Sequence, residues 1–269
     1  MNEIQKKLLE IAREYIDVCE KLNLKYFASG GTALGAMRHK GFIPWDDDMD
    51  FQMPRKDYEI FVKEAQKYFP CNLFVQTHDT DKKYLMPFAK IRDSRTTAID
   101  KYYSKLKINQ GLWIDIFPLD DLPTNVKKIK FLNWFDNEFL RRRYMPHRYM
   151  MSGFKTKIFN LIVKILFPSK SFAYTWSNYL SRKYSFKNCG VYCWNNVDGR
   201  LIFNMKKDWF NDYKIRKFEN MDIRVPFSIN EYLEDHFGKW NELPPKDKRV
   251  TNHEFCQIDL KRSYQEYLE

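Results

Sequence analysis

Residues 24–53, LKYFASGGTALGAMRHKGFIPWDDDMDFQM, decide how the rest of the chain is read. Leu24 to Ala28 is a short extended run, Ser29-Gly30-Gly31 is a turn, and Thr32 to His39 has the composition of a short helix. Gly41 to Trp45 forms a loop, after which Asp46 to Met53 alternates acidic and apolar residues as a strand does. Pro54 then suits the start of a helix running to about Tyr68, with Tyr58, Phe61, Val62 and Ala65 as its buried stripe. Strand, glycine turn, helix and acidic strand in that order predict an α+β core with chemistry at the strand ends.

Working outward, Ile4, Leu8, Ile11, Tyr15, Ile16, Cys19 and Leu22 recur at helical spacing with charges between them. They predict an amphipathic helix over Met1 to Leu22, not a secretory signal. Further strands are expected at Asn72 to Gln76, Leu85 to Ile91, Arg95 to Ile99 and Leu112 to Phe117, giving a mixed β-sheet flanked by helices. From about Asn125 to Lys183 the pattern turns to long apolar and basic helices, and short strands return after Cys189. The expected organisation is one catalytic unit over 1–269: a core at 1–123, a helical insertion at 124–188, and a C-terminal segment at 189–269 that completes the site.

The composition narrows the class. With 44% hydrophobic side chains in 269 residues the chain can bury one large core or two modest ones, and 9 glycines and 11 prolines spread along it mark no linker or repeat. A formal charge of +11 draws the protein to polyanions: nucleic acid, an anionic membrane surface or phosphate-bearing substrates. No apolar run is long enough to span a bilayer, so a soluble or peripheral protein on the cytosolic side is expected. Cys189 and Cys193 have a spacing that some zinc sites use, but no second Cys or His pair follows closely, and reduced, buried thiols are the expectation.

Carboxylates carry the chemistry. On a strand Asp48 and Asp50 project from one face, and two carboxylates held together repel unless a cation or solvent separates them. Oxygen-only ligands suit magnesium, or manganese, completed by substrate phosphates; the competing reading is an acidic surface turn. Asp115 lies in Leu112-Trp113-Ile114-Asp115-Ile116-Phe117, apolar on both faces, where a lone ionised carboxylate is costly and needs a partner. If its strand adjoins that of Asp48 and Asp50, the three converge on one or two metal ions. Ser29-Gly30-Gly31 lets backbone amides approach a phosphate at a helix N-terminus, and Arg38 and Lys90 are the basic residues placed to neutralise it.

The run Ser29 to Asp50 closely resembles the signature of the LicD family, and the resemblance continues through Pro87 to Asp93, Trp113 to Asp120, Pro244-Pro245, Arg249 and Asn252-His253. That family consists of bacterial phosphocholine transferases with a nucleotidyltransferase-like fold, and fukutin and its relatives, which transfer ribitol phosphate, look similar around the same motif. The resemblance implies a CDP-linked donor. It matches Asp48 and Asp50 to the metal-binding pair, Asp115 to the third carboxylate, the Gly30-Gly31 turn to the phosphate-binding loop, and Arg249 to the donor-binding set.

The expectation is therefore transfer of phosphocholine from CDP-choline, or of another alcohol phosphate from its CDP donor, to a hydroxyl of a teichoic-acid, lipopolysaccharide or capsular precursor, lipid-linked or soluble, with release of CMP. Asp115 is the first candidate for the proton acceptor and His253 the second. Trp45, Trp113 and Tyr102 are candidate cage residues for a quaternary ammonium. One rival is a nucleotidyltransferase that uses a nucleoside triphosphate and releases pyrophosphate; another is a basic nucleic-acid-binding protein, which the acidic cluster disfavours. Arg141-Arg142-Arg143 and His147-Arg148 precede Lys155 to Phe167, whose broad apolar face and basic edge fit either an interfacial helix on an anionic bilayer or a core helix of the insertion.

Overall fold

The computed structural model describes residues 1–101, 103–121, 125–144, 154–183, 193–195, 205–251 and 253–267. It divides into two compact units, one of residues 1–84, 88–118 and 208–269, the other of 85–87 and 119–207. Tyr102, His147, Arg148, Cys189 and Asn252 lie outside the described residues.

The first unit begins with α1 (Glu3–Lys21). Asn2 caps it: its side chain accepts from the Gln5 N–H at 2.8 Å, while its own N–H donates to Gln5 Oε1 at 2.9 Å. The buried face carries Leu8, Ile11, Tyr15 and Cys19, the stripe the periodicity predicts. Tyr15 packs edge-on against Tyr26 and Phe61 at 5.4 Å, which ties the helix to the sheet and to the helix behind it.

The chain then runs through β1 (Phe27–Ala28), α2 (Gly30–Arg38), β2 (Asp50–Pro54) and α3 (Arg55–Glu64), which ends in a 3₁₀ turn at Ala65–Lys67. β3 (Leu73–Gln76), β4 (Ala89–Asp93), β5 (Thr97–Asp100) and β6 (Leu112–Asp121) follow. The central mixed sheet has the order β1-β2-β6-β4-β3, and helices flank it, so the α+β class holds. β1 pairs antiparallel with β2 through Phe27↔Gln52, and β4 pairs antiparallel with β6 so that Lys90 stands directly opposite Asp115.

Several boundaries differ from the sequence expectation, each for a local reason. Gly30 and Gly31 are the first residues of α2 with Ser29 as N-cap, not a separate turn, and Gly30 takes φ +49°, which favours glycine. The strand expected over Asp46 to Met53 starts only at Asp50, because β1 is two residues long and pairs with residues 51 and 52 alone. β4 begins at Ala89, four residues later than expected; Pro87 has no N–H to give a ladder. Arg95 is drawn back onto Asp93 by its N–H at 3.1 Å and its Nε at 3.2 Å, so β5 starts at Thr97. The unit closes with the hairpin β8 (Tyr213–Phe218) and β9 (Met221–Pro226), the helix α8 (Ile229–Phe237), and β10 (Phe255–Asp259) on β5.

The second unit holds α4 (Val126–Phe135), a π-helical turn at Asp136–Arg141, α5 (Arg142–Tyr144), α6 (Phe154–Leu166), α7 (Lys170–Arg182) and β7 (Cys193–Asn195). β7 pairs with the far end of β6, which is why β6 continues to Asp121, beyond the expected Phe117. Among the described residues no helix is long and apolar enough to cross a membrane.

Candidate active site

The acidic run is fixed from three sides by backbone and neutral polar groups. The buried Gln5 amide of α1 donates to Asp46 O at 2.9 Å. Thr32 Oγ1 of α2 accepts the Asp50 N–H at 2.8 Å, and the Ser29 N–H donates to Asp50 O at 2.9 Å. From β6 the Asp115 N–H donates to Met49 O at 2.9 Å. Although the ladder begins only at Asp50, side chains alternate as a strand would have them: Asp46, Asp48 and Asp50 line one cleft, Met49 is fully buried, and Asp47 turns to His253.

Those cleft carboxylates are poorly compensated. Burial first, then the charge of Asp48, pushes Asp46 up to about 8. Asp50 is raised by burial and then by Asp48, Asp115 and Asp46, against a smaller opposing effect of Lys90. Asp48 is raised by burial, with His253 opposing and Asp115 and Asp47 adding to it. Two of them abut the first turn of α2: a Cβ on Gly31 would come within 2.5 Å of Asp46 Oδ2, and one on Gly30 within 3.2 Å of Asp50 Oδ2. The glycines thus let carboxylates reach the helix N-terminus, whose partial positive charge offsets a fraction of the repulsion.

The fit to a divalent ion is partial and of a recognisable kind. Among the described residues no group of three or more His, Cys, Asp or Glu side chains is arranged as a ready metal cage. What exists is a set of hard oxygen donors, Asp48 and Asp50 with Asp46 beside them, whose shared negative charge a cation would relieve. That matches magnesium, which takes one or two carboxylates and leaves other positions to water and phosphate.

Asp115 adds to the burial that raises Asp48 and Asp50, but among the described residues the three carboxylates expected to converge on a metal are not arranged as a group that would hold one. The partner of Asp115 is Lys90, whose Nζ lies 2.6 Å from Asp115 Oδ1 in a pair buried on both sides. Trp113 Nε1 donates to Asp115 Oδ2 at 3.3 Å. The lysine expected to neutralise a phosphate and the carboxylate expected to hold a metal are therefore engaged with each other, and burial lowers the Lys90 pKa despite that partner. Two cations also occupy Trp113: Lys90 Nζ sits 4.2 Å and the Arg92 guanidinium 4.6 Å from its ring centre, so its face is taken and it is not a free cage wall.

The cleft has a volume of about 500 Å³. Gly31 and the three carboxylates line it together with Arg38, Trp45, Phe237, Trp240 and Leu243. Arg38 donates through Nη1 to Trp240 O at 3.0 Å and Glu242 O at 3.1 Å, and Arg249 through Nε to Pro244 O at 2.8 Å. The Arg249 guanidinium also lies 5.6 Å from the Trp45 ring centre. Both guanidiniums clamp the segment after α8, and Arg38 lines the cleft with the carboxylates; burial and then the neighbouring Arg249 lower the Arg38 pKa.

His253 reaches the cluster from the other side, its Nδ1 3.0 Å from Asp47 Oδ1 and 3.9 Å from Asp48 Oδ2. Burial lowers its pKa, but the Asp47 hydrogen bond and the charges of Asp48 and Asp47 outweigh that and the net shift is upward. Thr251 Oγ1 donates to the other Asp47 oxygen, and Trp113 meets the His253 ring edge-on at 5.5 Å.

Four contributors escaped the sequence reading. Tyr232 Oη accepts the Gly30 N–H at 3.1 Å and meets Ser29 Oγ at 3.2 Å, so that amide faces a tyrosine, while Gly31 lines the cleft. Phe237 and Trp240 give the cleft its apolar wall. No local motif marks the last two; the aromatic ending of an amphipathic helix just before Pro244-Pro245 was the available signal. Gln5, buried on a helix face otherwise apolar, was legible as a polar residue needing a partner.

With that geometry in place, comparison with known proteins adds its findings. A family model described as LicD/FKTN/FKRP, nucleotidyltransferase domain, matches residues 23–162. The lipopolysaccharide cholinephosphotransferase LicD of Haemophilus influenzae is 29% identical over 266 residues, covering 94% of this chain and 96% of that protein. The ribitol 5-phosphate transferases FKRP of mouse and human are each 42% identical over 50 residues, 19% of this chain and 10% of theirs.

Proposed function

We propose, from the premise that the chain belongs to the LicD family, that it transfers an alcohol phosphate, phosphocholine before others, from a CDP-linked donor to a glycan hydroxyl and releases CMP. The observation that carries this is the cluster of Asp46, Asp48 and Asp50, three crowded and undercompensated carboxyl groups lining one cleft together with Arg38. The choice of phosphocholine is supported by the likeness to the Haemophilus cholinephosphotransferase along nearly the whole chain. A lipopolysaccharide, teichoic-acid or capsular precursor, lipid-linked or free, is the proposed acceptor, and the cytoplasm is the proposed site of the reaction.

Asp48 and Asp50 would hold a magnesium ion, or manganese in its place, which would supply charge neutralisation for the donor diphosphate. The chain's own groups do the rest. Arg38 and Arg249 add positive charge beside the acidic cluster and draw the diphosphate into the cleft. Gly31 keeps the α2 N-terminus open to close approach. Trp45, Phe237 and Trp240 offer faces on which a cytosine or a quaternary ammonium stacks.

His253, oriented at Nδ1 by Asp47, is the residue we place as proton acceptor for the attacking hydroxyl, the arrangement of a base held by a carboxylate. Asp115, tied to Lys90, sets the local field rather than taking the proton. In-line attack forms the new phosphoester bond, breaks the bond to CMP, and leaves the electron pair on its phosphate.

The test is incubation with magnesium and CDP-choline, CDP-ethanolamine, CDP-glycerol or CDP-ribitol, with and without glycan acceptors. CMP release dependent on both donor and acceptor is expected, largest with CDP-choline. Pyrophosphate release from a nucleoside triphosphate, with every CDP-alcohol inert, would sink the proposal in favour of nucleotidyl transfer.

A further inference from the structure

The second unit turns its helices the wrong way round for a protein surface. In α6 the aliphatic residues Ile158, Leu161, Ile162 and Ile165 recur at i, i+3, i+4 and i+7, the spacing of a core stripe, yet all four are exposed, Leu161 at 58% and Ile165 at 71%. In α7 the buried side consists of Ala173, Tyr174, Ser177 and Ser181, while Phe172, Trp176 and Tyr179 stand outside. Those rings touch in series, Phe172 to Trp176 at 6.2 Å and Trp176 to Tyr179 at 6.0 Å, so they form one aromatic strip. α4 adds Phe131 and Trp134, more than half exposed and 6.0 Å apart. An apolar surface of this extent marks an interaction site.

Charge identifies the occupant. Between Val126 and Lys183 the sequence has thirteen of the chain's 46 Lys and Arg and two of its 35 Asp and Glu, a net +11; that leaves 33 of each sign elsewhere. The formal charge of the whole protein therefore resides in this helical segment. Lys157 and Lys164 on α6 and Lys170 on α7 are exposed beside the apolar stripes, and Lys183 lies 5.7 Å from the Tyr179 ring centre.

We infer that this face seats on the surface of an anionic lipid bilayer, with α6 and α7 lying in the headgroup layer and their lysines against lipid phosphates. Aliphatic residues flanked by Trp, Tyr and Lys are what an interfacial helix requires, and 13-residue helices lie on a membrane rather than cross it. A second copy would bring +11 against +11. A nucleic acid backbone would match the charge but leave four exposed aliphatics of α6 uncovered.

Flotation of the full chain with vesicles tests this. The protein is expected to float with phosphatidylcholine vesicles containing about one third phosphatidylglycerol, in a salt-sensitive manner, and to stay down with phosphatidylcholine alone. Lys157→Gln with Lys164→Gln should weaken binding about 20- to 30-fold, and Leu161→Asp with Ile165→Asp at least about a hundredfold. Circular dichroism melting should be unchanged, since all four side chains are exposed; Phe172→Ser with Trp176→Ser provides a second pair if either variant fails to fold. No flotation with the anionic vesicles at low salt, or flotation indifferent to the apolar substitutions, overturns the proposal. So does a solution dimer that Leu161→Asp with Ile165→Asp splits, because a second copy then covers the face. No outcome depends on whether CDP-alcohols are turned over.

Discussion

The acidic run at 46–50, which leads into β2, lies against β6 of the β4–β6 ladder, and the two treat buried charge in opposite ways. Across the ladder each buried charge is met: Lys90 by Asp115, Arg92 by Gln76 Oε1 and Gly111 O at 2.6 Å each, and Asp93 by Arg95 and Asn72. In the acidic run Asp46, Asp48 and Asp50 face a cleft with like charge as neighbour, while Asp47 is hydrogen-bonded to His253 and Thr251. The difference teaches where stability ends and function begins. A fold tolerates unmatched carboxylates only where something arrives to match them, and the ladder beside them is the rigid frame that keeps the mismatch in place.

The contrast breaks most visibly when the ladder is made to resemble the acidic run. Lys90→Met strands the buried Asp115, and a loss of about 3–5 kcal/mol in denaturant unfolding is expected. Adding Asp115→Asn should restore most of it, since an amide can sit there without charge. A lysine that served only to neutralise phosphate would instead leave stability unchanged when removed.

The reverse operation, relieving the acidic run, should separate activity from stability. Asp50→Asn is expected to lower turnover at least a hundredfold, roughly 2.7 kcal/mol of barrier, while the melting temperature stays level or rises because one repulsive charge is gone. Loss of both together would assign Asp50 to the frame.

A smaller effect follows from protons. Asp46 has its folded pKa raised to about 8 against an unfolded value in the ordinary carboxylate range. Folding thus favours its protonated form, so the stability it contributes is complete below the unfolded pKa and is lost as pH rises through about 8. Metal-free protein should lose stability as pH rises from about 4 to about 8 through this cluster, and saturating magnesium should flatten that slope. An identical slope with and without magnesium would mean that the ion does not meet these carboxylates.

Smallest is the support beneath the glycines. Tyr232→Phe removes the oxygen that accepts the Gly30 N–H and should cost about 1 kcal/mol of stability, with a modest rise in donor KM. A KM unchanged to within error would detach Tyr232 from donor binding.

Much of this contrast was legible in residues 24–53, where the order of strand, helix and strand and the shared direction of Asp48 and Asp50 could be read, although the helix starts two residues earlier and the second strand four residues later than expected. What was not legible is register. Asp115 stands as a lone charge among apolar neighbours, whereas Lys90 shares β4 with Arg92 and Asp93, and only the pairing of Ala89 with Ile116 brings Lys90 and Asp115 face to face. A lone carboxylate in an apolar strand signals a cross-strand partner, but three charges on one short strand leave open which of them it meets. The cleft's apolar wall was hidden for a different reason: Phe237 and Trp240 lie nearly two hundred residues from the aspartates in sequence, and no periodicity reports that distance. In the helical segment, spacing alone predicted a stripe correctly but not its direction, because the same i, i+3, i+4, i+7 pattern serves a core and a membrane surface.

The central claim is that Asp48 and Asp50 together hold the divalent ion that the donor diphosphate completes. Manganese binding measured by electron paramagnetic resonance, with and without CDP-choline, tests it most directly. The expected result is weak binding alone, tighter binding with CDP-choline, and loss of both in Asp48→Asn with Asp50→Asn. Manganese affinity that CDP-choline leaves unaltered, or that survives the paired substitution, would contradict it.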